Sequence, residues 1–145
     1  MALGGIYLID KSAWEQRRHS AEAKQRLSQL AARRQLAVCV VTMAELLYSA
    51  RNAQEIAQLR LDLHHLSYLD LGPDGEHSIP HTMQALAERG QHRVPIPDLL
   101  LAAAAYRHNA IVLHYDSDFE RIAEVTGQAQ EWIIPRGTGH GRDAA

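Results

Sequence analysis

Ile6-Tyr7-Leu8-Ile9-Asp10 is an unbroken apolar run that stops at a carboxylate. Four consecutive apolar residues without polar alternation suit a strand buried on both faces, as in a parallel sheet covered by helices. The pattern returns twice. Val38-Cys39-Val40-Val41 ends at Thr42, and Ile111-Val112-Leu113 leads into Tyr115-Asp116. Helical signals fill the intervals. Ser20 is placed to cap a helix from Ala21 to about Arg34, with Leu27, Leu30 and Ala31 on one face. A second runs from Thr42 through Glu45 to about Ala50, and Ile56, Leu59, Leu63 and Leu66 mark an amphipathic helix over Ala53 to Ser67. Leu69 to Leu71 reads as a short strand, Gly72-Pro73 as a chain break, and the segment around Ile79 to Ala87 as a helix stopped by Gly90. Asp98 can cap a helix from Leu99 to about His108; a short helix at Phe119 to Val125 and a strand at Trp132 to Ile134 follow. Alternation of this kind predicts an α/β domain, a central and mostly parallel sheet of four to five strands with helices on both faces. The domain is expected to span residues 1–135, leaving 136–145, rich in glycine, as a frayed C-terminal tail.

Composition sets the outer limits. The chain has 145 residues, 46% hydrophobic and 22% charged, with a formal charge of −2, so one globular domain can build a core without staples. Cys39 is the sole cysteine, which excludes a disulfide scaffold. No apolar run approaches the ~18 residues of a membrane span. The stretch from Met1 to Asp10 lacks a basic region and ends in a carboxylate, so a cytoplasmic protein is expected. Near-neutral charge argues against sequence-independent coating of nucleic acid.

The acids carry the functional signal. Asp10 closes the first strand, Glu45 lies one turn beyond the second, Asp98 follows the Pro97 turn, and Asp116 and Asp118 follow the last strong strand. In open α/β sheets the C-terminal strand ends line one edge, where ligands bind. Carboxylates gathered there repel one another unless a cation neutralises them, and all-oxygen ligation suits Mg²⁺ or Mn²⁺. Such a metal activates water and offsets charge on a phosphodiester under attack. Each acid also has a plainer reading. Thr42-x-x-Glu45 matches a capping box, Asp98 an N-cap, and Asp116-Ser117-Asp118 a turn. Asp10, directly after a buried strand, is the hardest to dismiss.

Other chemistries fit less well. Nine histidines include His64-His65 and the pair His77 and His81, but no zinc spacing occurs and Pro80 interrupts the second pair. A phosphoacceptor receiver domain would need a late lysine, and none follows Lys24. Asp10-Lys11-Ser12 lacks the second acid of a phosphatase DxD nucleophile.

Four motifs in order resemble the PIN-domain ribonucleases, specifically the VapC-type toxins. They are Tyr7-Leu8-Ile9-Asp10-Lys11-Ser12-Ala13, Thr42-x-x-Glu45-Leu46-Leu47-Tyr48-x-Ala50, Ile96-Pro97-Asp98-Leu99-Leu100-Leu101-Ala102-Ala103, and His114-Tyr115-Asp116-Ser117-Asp118-Phe119. The resemblance implies a PIN fold, Mg²⁺- or Mn²⁺-dependent cleavage of RNA to 5′-phosphate and 3′-hydroxyl ends, a homodimer, and a hetero-oligomer with a cognate VapB-like antitoxin. It assigns catalytic and metal roles to Asp10, Glu45, Asp98, Asp116 and Asp118, with Ser12 and Thr42 in support. Lys11 stands where threonine is commoner. Lys11, Arg17 and Arg18, close in sequence to the Asp10 edge, are candidate RNA contacts. The alternatives are a catalytically weak RNA- or protein-binding module, or a housekeeping RNA-processing nuclease.

Overall fold

In the computed structural model, which describes residues 5–141, the strands β1 (Tyr7–Ile9), β2 (Leu36–Val38), β3 (Ser67–Tyr68), β4 (Ile111–His114) and β5 (Gln130–Trp132) form one sheet. Their order is β3-β2-β1-β4-β5 and every pairing is parallel. The helices are α1 (Lys11–Gln16), α2 (Ala21–Ala32), α3 (Val40–Tyr48), α4 (Ala53–His64), α5 (Gly72–Glu88), α6 (Ile96–Arg107) and α7 (Asp118–Thr126). The expected parallel sheet with helices on both faces is thus present. No helix among the described residues is long and apolar enough to cross a membrane.

Strand alternation divides the core in two. Leu8, Ala37 and Val112 face one side and join Leu86, Leu99, Leu101 and Phe119 from α5, α6 and α7. Ile9, Val38 and Leu113 face the other and pack with Ala13, Ala23, Leu27 and Leu30 from α1 and α2. Both faces of the three central strands, β1, β2 and β4, are therefore largely dry, which is why these strands read as continuous apolar runs, whereas the edge strands β3 and β5 are more exposed. Leu8 and Leu113 are fully buried; truncating either to alanine should cost about 2–5 kcal/mol.

Several local boundaries differ from the sequence reading. The second strand ends at Val38, and Val40 and Val41 begin α3, whose N-cap is Cys39 without a side-chain bond. The capping box at Thr42 and Glu45 therefore does not form. Thr42 sits inside the helix, fully buried, and donates its hydroxyl to Ile9 O at 2.7 Å, tying α3 to the end of β1. Similarly, α6 begins at Ile96 with Pro95 as N-cap, which puts Asp98 in its first turn and not at its cap. Gly72-Pro73 starts α5 instead of breaking the chain. Gly72 has φ +67°, a left-handed conformation that favours glycine. The short strand is Ser67–Tyr68, not Leu69 to Leu71, and the last is Gln130–Trp132, not Trp132 to Ile134.

The segment after residue 135, expected to fray, has specific partners up to residue 141. Tyr115 Oη accepts the N–H groups of Gly137 (2.9 Å) and Gly139 (2.8 Å). Gln16 brackets the backbone of His140 with both amide atoms, and the His19 and His140 rings stack at 3.9 Å. Residues 142–145 of the expected tail, and Met1 to Gly4 of the opening stretch, lie outside the described residues.

Candidate active site

Chain order reverses direction between β1 and β4, the place where an open parallel sheet offers a crevice. Asp10 caps α1 directly after β1, and Asp116 follows β4 by two residues. Register pairs Ile9 with Leu113, and Asp10 N–H donates to Leu113 O at 2.9 Å, so these two strand ends are held side by side. Asp98 arrives from the first turn of α6 and Glu45 from the middle of α3. A cleft of about 280 Å³ is lined by Asp10, Lys11, Ser12, Glu45, Pro97, Asp98 and Asp116, among others. Asp98, Asp116 and Asp118 each offer an oxygen within 4.8 Å of the other two. Asp10, Asp98 and Asp118 are buried, while Glu45 and Asp116 are partly exposed.

Hydrogen bonds fix this turn from both sides. Asp10 Oδ2 accepts the N–H (2.9 Å) and the hydroxyl (2.5 Å) of Ser12, and Ser12 Oγ in turn accepts the N–H of Tyr115 at 2.8 Å. One serine thus links the β1 acid to the residue before Asp116. Asp116 Oδ1 accepts the N–H of Asp118 at 3.0 Å, so the plain turn geometry exists alongside the cluster. Asp118 Oδ1 is paired with Arg121 Nη1 at 2.6 Å.

Electrostatics make the cluster costly when no cation is present. Burial, reinforced by the charges of Asp10, Asp116, Asp118 and Glu45, pushes the Asp98 carboxyl up to about 8. Burial also raises Asp10, against the two Ser12 hydrogen bonds and with the charge of Asp116. Glu45 is raised by burial and then by Asp10, with Lys11 opposing. Asp98 Oδ2 is buried and has no hydrogen-bond partner among the described residues. A buried carboxylate oxygen left unpartnered beside two further carboxylates fits a hard cation as its missing partner. The donor set is all oxygen, so the residues present suit a divalent ion.

The candidate RNA contacts divide. Lys11 Nζ donates to Ser49 Oγ at 3.1 Å and lies 3.7 Å from Glu15, which ties it to the C-terminal end of α3 at the cleft wall. Arg17 lies over the Trp14 ring at 4.3 Å with its Nε buried, and burial followed by the Arg18 charge lowers its pKa. Its guanidinium is occupied in packing. Arg18 is exposed.

Two partners of the acids escaped sequence reasoning. Arg121 could have been found, because Asp118 and Arg121 stand three apart on a helix, a spacing that brings side chains together. His114 stands in the sequence only as the residue that opens the closing acidic motif, yet its Nδ1 accepts the N–H of Asp116 at 3.1 Å. Nothing in the linear sequence points to its other partner, Gln130.

Known proteins are similar in sequence and fold. The PIN-domain family model matches residues 7–125. Ribonuclease VapC18 of Mycobacterium tuberculosis is 36% identical over 136 residues, covering 92% of this chain and 98% of that protein. Ribonuclease VapC21 of the same species is 40% identical over 136 residues, covering 91% and 96% respectively. Among solved structures, VapBC2 from Rickettsia felis bound to a promoter DNA fragment superposes with a TM-score of 0.72 at 22% identity, covering 88% of this chain and 98% of that one. PIN ribonucleases generally use divalent metal ions, in keeping with the three clustered aspartates. With its sheet order, its acids at the switch point and these relatives, the chain belongs to the PIN-domain family, among the VapC ribonucleases.

Proposed function

We propose that this chain is the toxin of a type II toxin–antitoxin pair, an endoribonuclease that hydrolyses RNA phosphodiester bonds with Mg²⁺ or Mn²⁺ in the acidic cleft. The observation that carries the reading is the buried, unpartnered Asp98 oxygen within a cluster of carboxylates at the sheet's switch point. Asp10, Asp98 and Asp116 would hold the ion, with Asp118 completing the site. When bound, the cation supplies Lewis-acid charge to the scissile phosphate and lowers the pKa of a water. Glu45, at the cleft wall with a raised pKa, is placed to orient that water and accept its proton. Ser12 holds Asp10, and Thr42 holds α3, and with it Glu45, against β1. Direct attack by water needs no side-chain nucleophile. Lys11 and Arg18 remain as candidate contacts for RNA phosphates.

The similarity to VapC ribonucleases further supports a VapB-like antitoxin as partner, a homodimer, a toxin–antitoxin hetero-oligomer and a cytoplasmic location. The direction of Lys11 toward Ser49 favours a nuclease over a binding module in which lysine replaces the metal. A test is incubation of the purified chain with mixed tRNA and ribosomal RNA in Mg²⁺ or Mn²⁺, with EDTA, and with Asp98→Ala in parallel. Discrete products that vanish with EDTA and in the variant are expected. A folded, antitoxin-free chain that cleaves nothing in either metal would sink the reading. An adjacent gene encoding a small antitoxin separates a toxin from a housekeeping nuclease.

A further inference from the structure

His114 ends β4 with no exposed surface, between the rings of Phe119 and Trp132 at centroid distances of 5.0 and 4.9 Å. A fully buried imidazole after Ile111-Val112-Leu113 is expensive unless its nitrogens are bonded. Both are. Nδ1 faces the backbone N–H of Asp116 at 3.1 Å, and Nε2 faces Gln130 Oε1 on β5. An amide N–H can only donate, so Nδ1 carries no hydrogen; the ring hydrogen sits on Nε2 and is given to the Gln130 carbonyl. The ring is thereby confined to one tautomer and one orientation.

We infer that His114 is a positioning residue of the acidic site, setting the turn from which Asp116 and Asp118 enter the metal-binding cluster by accepting the Asp116 N–H. The inference rests on the metal-site reading above. His114 holds Asp116 N–H, and Asp116 Oδ1 then holds Asp118 N–H at 3.0 Å, so one ring fixes the first link of a two-link chain. The residue between them, Tyr115, is held separately through its N–H to Ser12 Oγ, which serves Asp10. Three consecutive positions, 114 to 116, are thus locked relative to the β1 acid. Filling the space between Phe119 and Trp132 needs no nitrogen, and phenylalanine would do so without burying a polar ring. Outer partners that orient metal ligands typically contribute 10–100-fold in metal affinity or activity.

Three variants of the full chain separate positioning from packing. His114→Asn returns an acceptor near the place of Nδ1, His114→Gln places its amide near Nε2, and His114→Phe keeps ring volume with no acceptor. Each is titrated with MnCl₂ by calorimetry, melted without metal, and followed for hydrogen exchange at the Asp116 amide. His114→Phe should bind Mn²⁺ about 10–100-fold more weakly than wild type, with faster Asp116 exchange, while melting no lower than His114→Asn. His114→Asn should recover most of the affinity, and His114→Gln should not. Should the Phe variant fail to fold, the Asn and Gln pair decides by the same ranking. Wild-type Mn²⁺ affinity in His114→Phe, or affinity that simply follows melting temperature across the variants, overturns the inference alone. A wild-type chain that binds no Mn²⁺ overturns the metal-site reading on which it stands.

Discussion

Two groups of acids in this molecule are treated in opposite ways. Where the start of α5 meets the end of α6, Asp70 and Asp74 are exposed and share the Arg107 guanidinium, with the His108 ring bonded to Asp70. Asp70 Oδ1 lies 2.9 Å from His108 Nε2 and 3.7 Å from Arg107 Nε, and Asp74 Oδ2 lies 3.5 Å from Arg107 Nη1. Desolvation of Asp70 is outweighed by the His108 hydrogen bond and the Arg107 charge acting together, so its pKa is lowered. At the switch point Asp10, Asp98 and Asp118 are 6%, 7% and 4% exposed, and Arg121 is the one cation in ion-pair contact with an aspartate of the cleft cluster among the described residues. Asp98 is raised where Asp70 is lowered. Exposed pairs add little to stability, whereas buried and uncompensated carboxylates subtract from it. A site that costs stability at rest is built for a charge that arrives later.

The sharpest way to break this contrast is at Asp98. Asp98→Asn keeps the shape and removes the charge, so RNA cleavage should fall to background while the metal-free chain melts higher than wild type at pH 8. Loss of cleavage together with lower stability would mean that the carboxylate supports the fold.

Next comes pH. The folded-state value for Asp98, about 8, lies above the roughly 4 of an unfolded aspartate. Between these values the folded chain holds a proton that the unfolded chain has released, so this group makes stability fall as pH rises through that window and adds no slope above it. Without metal, wild type should melt several degrees lower at pH 8 than at pH 6, relative to the shift seen in Asp98→Asn. Saturating Mn²⁺ should reduce the difference, because the ion replaces the proton. Thermal melts at both pH values, with and without metal, check the sign.

A smaller effect is expected at Arg121, the counter-charge of Asp118. Arg121→Gln leaves Asp118 buried beside other carboxylates, at a cost of about 1–2 kcal/mol once the part-exposure of the arginine is allowed for, measured by urea unfolding. In the paired corner, Asp70→Asn should alter neither RNA cleavage nor melting temperature detectably. A clear loss of cleavage there would dissolve the contrast between the two regions.

The parts of this architecture that were legible in the sequence are those dictated by burial. Continuous apolar runs at Ile6 to Ile9 and Ile111 to Leu113 mark strands covered on both sides, and each ends near an acid. The second strand was placed three residues or so too late, because Val40 and Val41 continue the apolar run into the first turn of α3. Hydrophobicity alone cannot separate a buried strand from a buried helix start. Asp98 is readable as an acid near the cleft, but its entry from the first turn of α6 follows from Pro95 serving as N-cap. The bonds that refine the site were not legible. Ser12 reaches Tyr115 across 103 positions, His114 meets Gln130 only because β4 pairs with β5, and Arg17 is withdrawn by a contact with Trp14. Residues 136–141 carry the glycine content of a loose end, and their anchors, Gln16 and Tyr115, lie far away in sequence.

The most direct test of the cleft's purpose is anomalous diffraction from crystals of this chain soaked in MnCl₂. The expected result is a peak in contact with the carboxylates of Asp98 and Asp116, with none at the Asp70 and Asp74 corner. A well-ordered cleft without manganese, or manganese held only at the corner, would contradict the claim that the buried acids are gathered in order to bind a cation.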